Sequence, residues 1–414
     1  MLRTAARAAA LLALSGCSLL LSDDLSGSPN PDAANDASTD AGDVASNDGG
    51  GGGGDATIDA PQATPRRPVG PLKVTVVNGN VITATVDGFF QIEYTAAQMW
   101  KPARLFDLGL PGTPNLAPSL FEPFSAMIEN EAVGNASDEE AGYFDVVDET
   151  PARFRFATYA HHRLPSGADA KVLTHWSIYA SGRLFVRTRV LNDGSAPLAL
   201  PQGWIHSSFA FDAAKKWSVV ESSDKRSATF FLQEPSGLGM TAVLHETDGS
   251  LGSRSATERH WFGDARTLAP TEHLTKTSEL QLGVTPEEAT ARIADTHAPE
   301  LGMLSDVVRV EDSDDPGTGA YLLEMVDTKT LAKFELVPTR ARAYPAFEIR
   351  DLPTPMGWRI SLDGQLVASS EAPVTPLGAA RYVTADNKLV FVYLGTIPAN
   401  ASAEQRTFTL ERPL

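Results

Sequence analysis

Three arginines and a tyrosine recur within residues 179–189 and form the first group of side chains able to do chemistry. They are Tyr179, Arg183, Arg187 and Arg189. Arginine carries a planar fork of N–H donors that matches a carboxylate or another oxyanion in two-point contact. This spacing therefore suits contact with an anion, provided that the local structure places the four side chains on one surface.

Histidine and carboxylate side chains form the second group, because they can transfer protons near neutral pH. The candidates for catalysis are His175, His206, His245, Glu246 and Tyr179. No spacing among them matches a known acid–base motif, so each histidine also reads as a surface or hydrogen-bonded residue. His206 lies between Trp204 and Phe209 in an aromatic-rich segment, and with His175 it is the first to test.

Other patterns of site residues are incomplete. Asp312, Asp314 and Asp315 precede a Pro-Gly pair as in a calcium loop, but the closing glutamate is missing and a solvated turn is favoured. The pair His161 and His162 has no cysteine or histidine at zinc spacing. No Gly-x-Ser-x-Gly elbow of a hydrolase is present. We expect no metal and no cofactor, and the net charge of −18 argues against a nucleic-acid partner.

Residues 171–192 must position the arginines, and they read as two strands joined by a tight turn. The loop Ala180-Ser181-Gly182 suits a type I turn closed by a glycine bulge, which pairs Tyr179 with Arg183. This register predicts a core face of Trp176, Ile178, Leu184, Val186 and Val190. The opposite face, called the arginine face below, carries His175, Ser177, Tyr179, Arg183, Phe185, Arg187 and Arg189. A two-residue loop would mix the two sets.

The N-terminus predicts export. Arg3 and Arg7 precede a short apolar segment at residues 8–14, which is too short to span a bilayer. The following Leu-Ser-Gly-Cys, ending at Cys17, resembles the lipobox of bacterial lipoproteins. That resemblance implies a signal peptide at 1–16, acylation of Cys17 and anchoring in the lipid bilayer, with Ser18 directing the protein to the outer membrane. The alternative is an ordinary signal peptide with a chance cysteine.

Residues 17–68 predict a disordered acidic tether. Gly, Ala, Ser, Asn and Asp dominate, and residues 23–59 hold nine aspartates and no basic residue. Such a segment cannot bury enough apolar surface to offset the entropy lost on ordering. We interpret it as a solvated spacer, with a cation-binding tail as the alternative.

The rest of the chain predicts an all-β fold. Short alternating runs bounded by Gly, Asn, Asp and Pro indicate antiparallel sheets over residues 69–284. A capping box formed by Thr285 and Glu288 predicts a linking helix at 285–298. Residues 299–414 again read as short strands, which fits a small β-sandwich.

The strand–turn–strand of residues 171–192, with its Tyr-x-x-Gly-Arg turn and following Asn-Asp-Gly, resembles the galactose mutarotase-like domains of sugar epimerases and polysaccharide lyases. The resemblance implies a large antiparallel β-supersandwich before the linking helix, whose broad sheet holds a sugar. Tyr179, Arg183, Arg187 and Arg189 would then be ligand-binding residues for a carboxylated or sulfated sugar. The helical toroid that many such lyases carry is missing here, which weakens the expectation of lyase activity.

Three functions remain open from the sequence. The first is a membrane-anchored carbohydrate-binding lipoprotein that holds a polysaccharide on the arginine face. The second is a polysaccharide lyase or sugar epimerase acting on an acidic sugar. The third is a structural or adhesion lipoprotein without a small ligand.

Overall fold

The computed structural model describes residues 70–98, 100–109, 112–113, 115–116, 121–134, 144–221, 225, 227–232, 239–244, 250–252, 255, 257–284, 301–309, 318–326, 330–337, 342–352 and 357–412. Within these ranges nearly all regular structure is β, so the predicted all-β class is confirmed. The predicted signal peptide, Cys17, the tether and the linking helix at 285–298 lie outside the described residues, as do the aspartates at 312–315.

Twenty strands precede residue 285. They are β1 (Lys73–Val77), β2 (Val81–Val86), β3 (Phe90–Thr95), β4 (Pro102–Asp107), β5 (Phe121–Glu122), β6 (Ser125–Ile128), β7 (Glu131–Gly134), β8 (Phe144–Glu149), β9 (Arg153–Arg163), β10 (Asp169–Tyr179), β11 (Arg183–Asn192), β12 (Leu198–Leu200), β13 (Trp204–Ala210), β14 (Trp217–Glu221), β15 (Ser227–Leu232), β16 (Gly239–Leu244), β17 (Ser250–Gly252), β18 (Glu258–Gly263), β19 (Arg266–Leu268) and β20 (His273–Val284).

Thirteen strands follow residue 300 in the described part of the chain. They are β21 (Leu301–Ser305), β22 (Val307–Arg309), β23 (Tyr321–Met325), β24 (Leu331–Leu336), β25 (Arg342–Ala343), β26 (Ala346–Arg350), β27 (Arg359–Leu362), β28 (Gln365–Ser369), β29 (Val374–Thr375), β30 (Gly378–Val383), β31 (Lys388–Tyr393), β32 (Thr396–Ile397) and β33 (Thr407–Glu411). The helical pieces described are two 3-10 turns, Ala96–Gln98 and Thr384–Asp386, and the one-turn helix α1 (Ala403–Arg406).

The first region is built around an eight-stranded antiparallel sheet in the order β14-β15-β16-β20-β11-β10-β9-β8. A second sheet has the order β17-β18-β13-β6-β7, with β5 also paired to β13. The strands β1 to β4 form a sheet in sequence order, and β12 pairs with β19. Apolar side chains from the first three of these sheets meet in one core that contains Ile92, Trp176 and Phe209.

The register between β10 and β11 is the predicted one. Ile178 lies opposite Leu184 and the ladder continues without a shift to Ala170 opposite Asn192. The five residues of the predicted core face are each at most 3% exposed. Gly182 closes the turn with φ +75°, a conformation that glycine adopts without the steric cost of a side chain.

A buried polar row crosses the core face of the eight-stranded sheet. Thr158, Thr174, Thr188 and Lys276 lie side by side on β9, β10, β11 and β20. The Thr174 and Thr188 hydroxyls are 3.3 Å apart, so the two can share a hydrogen bond. The row separates the core around Trp176 from a second apolar cluster that contains Val172. The Thr158 hydroxyl accepts a 3.4 Å hydrogen bond from Nε1 of Trp176, so this buried group is also satisfied.

The region after residue 300 is a sandwich of two sheets. One has the order β21-β24-β33-β27-β28 and the other β22-β23-β26-β31-β30-β29. Phe334, Phe347, Phe391 and Phe408 pack together in their shared core, with ring centroids 4.6 to 6.2 Å apart. The pairing of β23 with β26 is parallel, an exception to the antiparallel pattern.

Candidate functional site

The arginine face has a covered end near the turn. Tyr179 is fully buried, and its hydroxyl donates a 2.6 Å hydrogen bond to the carbonyl oxygen of Thr318. Arg183 forms an ion pair with Glu279 and also donates to the carbonyl oxygen of Gly319. Because Tyr179 and Arg183 use these polar groups in contacts within the protein, the structure places both in packing against residues 318–319 rather than on an open surface.

Phe185 completes the covered end. It is 6% exposed, and a Cβ atom placed on Gly319 would lie 2.5 Å from its ring. The absence of a side chain at Gly319 therefore allows this loop to lie directly on the aromatic ring. Residues 318–319, far from β10 and β11 in the sequence, thus cover one end of the arginine face. The alternation of side chains had predicted this end to be solvent-exposed.

The other end of the arginine face reaches the solvent. Arg189 is exposed, and its Nη2 atom lies 3.3 Å from Nδ1 of His273 on the neighbouring strand β20. Arg187 is half-buried and lies directly opposite His175. Of the four predicted ligand-binding residues, Arg187 and Arg189 are therefore the two that a large ligand can reach.

His175 occupies the middle of the arginine face. Its neighbours across the sheet are Ala157 on β9 and Arg187 on β11. Burial, together with the smaller effect of the positive charges of Arg155 and Arg187, lowers the pKa of His175 to about 4. A base with so low a pKa is weak at neutral pH, so this imidazole is better suited to hydrogen bonding a ligand than to general-base catalysis.

Arg155 is a further candidate on the arginine face that was not predicted from the sequence. It lies opposite Ser177 in the ladder between β9 and β10, which places it on the arginine face beside His175. It is 3% exposed, and burial together with the charge of Arg153 lowers its pKa. The alternation Arg-Phe-Arg-Phe at residues 153–156 is the signal that, combined with the β9–β10 register, could have identified it.

Arg153 is the centre of a buried charge network next to this face. Its Nε and Nη2 atoms donate to the two carboxylate oxygens of Asp148 at 3.2 and 2.7 Å. Its Nη2 also donates to Glu348 at 2.7 Å, and Lys388 lies 3.5 Å from Asp148. Burial alone would raise the pKa of Glu348, but Arg153, Lys388 and hydrogen bonds from arginines outweigh it and hold that pKa at about 2.

His175 and His206, the two predicted catalytic histidines among the described residues, are not brought together. His206 is 1% exposed on β13 and stacks on Trp204, with ring centroids 4.7 Å apart. Trp204 packs in the cluster on the core face of the eight-stranded sheet, whereas His175 lies on the opposite face, so the sheet separates the two histidines. His245 and Glu246 lie outside the described residues.

The described residues contain neither a candidate metal cluster nor a candidate membrane-spanning helix. No group of three or more His, Cys, Asp or Glu side chains is placed to hold a metal ion among them. In the same part of the chain, no helix combines the length and the apolar character needed to cross a bilayer.

The comparisons with known proteins find distant structural likeness. No family model matches the sequence, and no curated protein matches it. A candidate aldose 1-epimerase from Klebsiella pneumoniae is 8% identical over 55% of this chain and 88% of its own, with a TM-score of 0.35. A galactose mutarotase-like protein from Lactobacillus casei is 12% identical over 51% of this chain and 99% of its own, with a TM-score of 0.30.

A lyase is also among the structural neighbours. The heparan sulfate lyase HepC from Pedobacter heparinus is 10% identical over 64% of this chain, with a TM-score of 0.32. The match spans 42% of the lyase, so more than half of that enzyme has no counterpart here. Galactose mutarotase-like proteins are thus among the structural neighbours of this chain, at low identity and low TM-score.

Proposed function

We propose that this protein is a membrane-anchored lipoprotein that binds an acidic polysaccharide on the open end of the arginine face. The observation that supports the proposal most directly is the local charge. Arg155 lies on β9, and Arg187 and Arg189 lie on β11. These two strands flank β10, and the three arginines share one face in a chain whose net charge is −18. The pKa of His175 is lowered mainly by burial, and the positive charges of Arg155 and Arg187 add to this effect. An anionic chain is the ligand that such a surface favours.

Exposure of the open end fits a long ligand. Arg189 is exposed and Arg187 is half-buried, and the two side chains follow the same strand two residues apart. Successive charges of an acidic polysaccharide could contact them in turn, each arginine making a two-point contact with a carboxylate or sulfate. Binding without turnover is favoured over lyase or epimerase chemistry, because no acid–base pair is assembled around His175 in the described part of the chain.

The anchor is the second part of the proposal. Acylation of Cys17 would hold the protein on the outer membrane, and residues 18–68 would act as a tether of about 40 Å for a flexible coil. Cys17→Ser is expected to move the protein from the membrane fraction to the soluble fraction of the producing cell. Retention of the variant in the membrane fraction would contradict the proposed anchor, and it would leave the proposed binding site untested.

A glycan array tests the binding. The full chain is expected to bind polysaccharides that contain uronate or sulfate groups and to show no binding to neutral polysaccharides. The double variant Arg187→Ala with Arg189→Ala is expected to lose binding by about tenfold or more, because two charge-assisted contacts are removed. Arg381→Ala removes an exposed arginine of β30 and is the matched control, expected to bind like the wild type.

The outcomes separate the three functions. Binding that the double variant retains would contradict the proposed site. Ultraviolet absorbance from an unsaturated product, formed by the wild type on a bound polysaccharide, would indicate a lyase in place of a binding protein. An array without any bound glycan would favour the structural or adhesion function.

A further inference from the structure

One edge of the Arg155 guanidinium has no partner in the part of the chain that the structure describes. Its Nη1 atom lies 3.6 Å from Asp148, while Nε and Nη2 have no hydrogen-bond partner among the described residues. The residue is 3% exposed. Buried donors of a charged group are ordinarily hydrogen-bonded. Two adjacent donors without partners on one edge therefore indicate that this edge binds a ligand and does not stabilise the fold.

The same edge holds a carboxylate in two neighbouring arginines. In Arg153, Nε and Nη2 both donate to Asp148, and in Arg183 the same two atoms donate to Glu279. In Arg153 the two donors contact both carboxylate oxygens, the two-point contact typical of arginine. In Arg183 both donors contact one oxygen, Oε2 of Glu279. Arg155 presents the equivalent edge without a carboxylate from the described part of the chain.

Two further polar groups beside Arg155 are also unpartnered in that part of the chain. Ser177 lies directly opposite Arg155, and its Oγ atom is fully buried without a hydrogen-bond partner. His175 is two residues earlier on the same face, and its Nδ1 atom is in the same state. The residue opposite His175 on β9 is Ala157, whose side chain is a single methyl group.

We propose that Arg155, Ser177 and His175 form a seat for one anionic group, a carboxylate or a sulfate, of an acidic sugar. The Nε–Nη2 edge of Arg155 would make the two-point contact, and the Ser177 hydroxyl would donate a third hydrogen bond. The neutral His175 would contribute a ring nitrogen, and Arg187, opposite it, would add charge. His175 and Arg187 are half-buried, so the seat meets the surface at their side. The inference rests on the proposed function for the sugar that carries the anion.

Calorimetric titration of the full chain with glucuronate, inorganic sulfate and glucose tests the seat. One of the two anions is expected to bind and glucose is not, and the anion that binds identifies the group. Arg155→Gln is expected to weaken anion binding by about tenfold or more, and Ser177→Ala by a smaller factor. The control Arg381→Gln changes the charge equally at an exposed site of β30 and is expected to bind like the wild type.

A second readout separates binding from packing. Ser177→Ala removes only a hydroxyl oxygen that has no partner in the described residues, so this variant is expected to have the melting temperature of the wild type. Arg155→Gln removes a positive charge near Asp148, and a lower melting temperature of that variant would not affect the comparison. Anion binding is also expected to raise the pKa of His175 from about 4, measured by NMR, since the anion offsets the neighbouring positive charge.

The failures are distinguishable. Anions that bind both variants as they bind the wild type would overturn the seat, as would a wild type that binds neither anion. If the small anions bind through Arg155 and Ser177 but no polysaccharide binds, the seat stands and the proposed function fails. If polysaccharide binding depends on Arg187 and Arg189 but not on Arg155, the proposed function stands and the seat fails.

Discussion

His175 is largely buried and lies near two arginines, and this environment makes its contribution to stability depend on pH. Its pKa in the folded protein is about 4, against 6.5 for the free side chain. The unfolded chain therefore takes up a proton more readily than the folded one. The stability that His175 contributes is complete above pH 6.5 and is lost as the pH falls from 6.5 towards 4.

We predict that His175→Gln removes this part of the pH dependence. Between pH 7 and pH 5 the wild type is expected to lose about 1–2 kcal/mol of unfolding free energy through this residue, and the variant is not. Urea unfolding at the two pH values measures the difference. Equal losses in the two proteins would show that His175 titrates as it does in the unfolded chain.

The hairpin of β10 and β11 depends on its turn. Gly182 has φ +75°, and a Cβ atom there would lie 2.7 Å from the ring of Phe89 and 3.2 Å from Leu282. Gly182→Ala is therefore expected to cost about 2–4 kcal/mol, as the sum of backbone strain and overpacking. Gly88→Ala is the control, because Gly88 has φ +68° and a Cβ atom there would have nothing within 4 Å. The control is expected to cost about 1 kcal/mol, from backbone strain alone. Chemical unfolding measures both variants. Equal costs would rule out the contact with Phe89.

This element shows what a sequence pattern can and cannot predict. The alternation of side chains and the three-residue loop correctly predicted the register and the core face, because both are local properties of residues 171–192. They could not predict that Tyr179 and Arg183 would be covered. That cover comes from Thr318 and Gly319, and neither periodicity nor turn chemistry carries information about a contact so distant in sequence.

The buried network of Arg153 ties strands β8 and β9 to strands β26 and β31 of the C-terminal sandwich. Arg153→Met would leave Asp148 and Glu348 buried with less compensating charge. The expected cost is about 3–5 kcal/mol, the usual penalty for removing one partner of a buried ion pair. Lys73→Ala breaks the exposed pair with Asp87 and is expected to cost less than about 1 kcal/mol. Thermal or urea unfolding measures both, and comparable losses would contradict a structural role for the network.

At the scale of the whole chain, composition and alternation were enough to predict the all-β class, and the local alternation placed Arg187 and Arg189 on one face, but neither indicated Arg155. Arg155 was missed because the face on which it lies depends on the pairing of β9 with β10. The predicted pair of histidines was separated because they belong to different sheets. The sequence shows directly which residues have side chains suited to binding or catalysis. Whether those side chains lie close together depends on the long-range pairing of strands.

The network of Arg153 also limits how this sheet could be passed between proteins in evolution. A domain that recombines with many different domains during evolution has a surface that is stable in water when the domain stands alone. Here Arg153 and Asp148 are hidden beneath Glu348 and Lys388, and Tyr179 is capped by Thr318. A transplanted sheet would expose an aromatic side chain and lose half of an ion-pair cluster. The two regions are therefore expected to be inherited together, with substitutions at Arg153 accompanied by substitutions at Glu348.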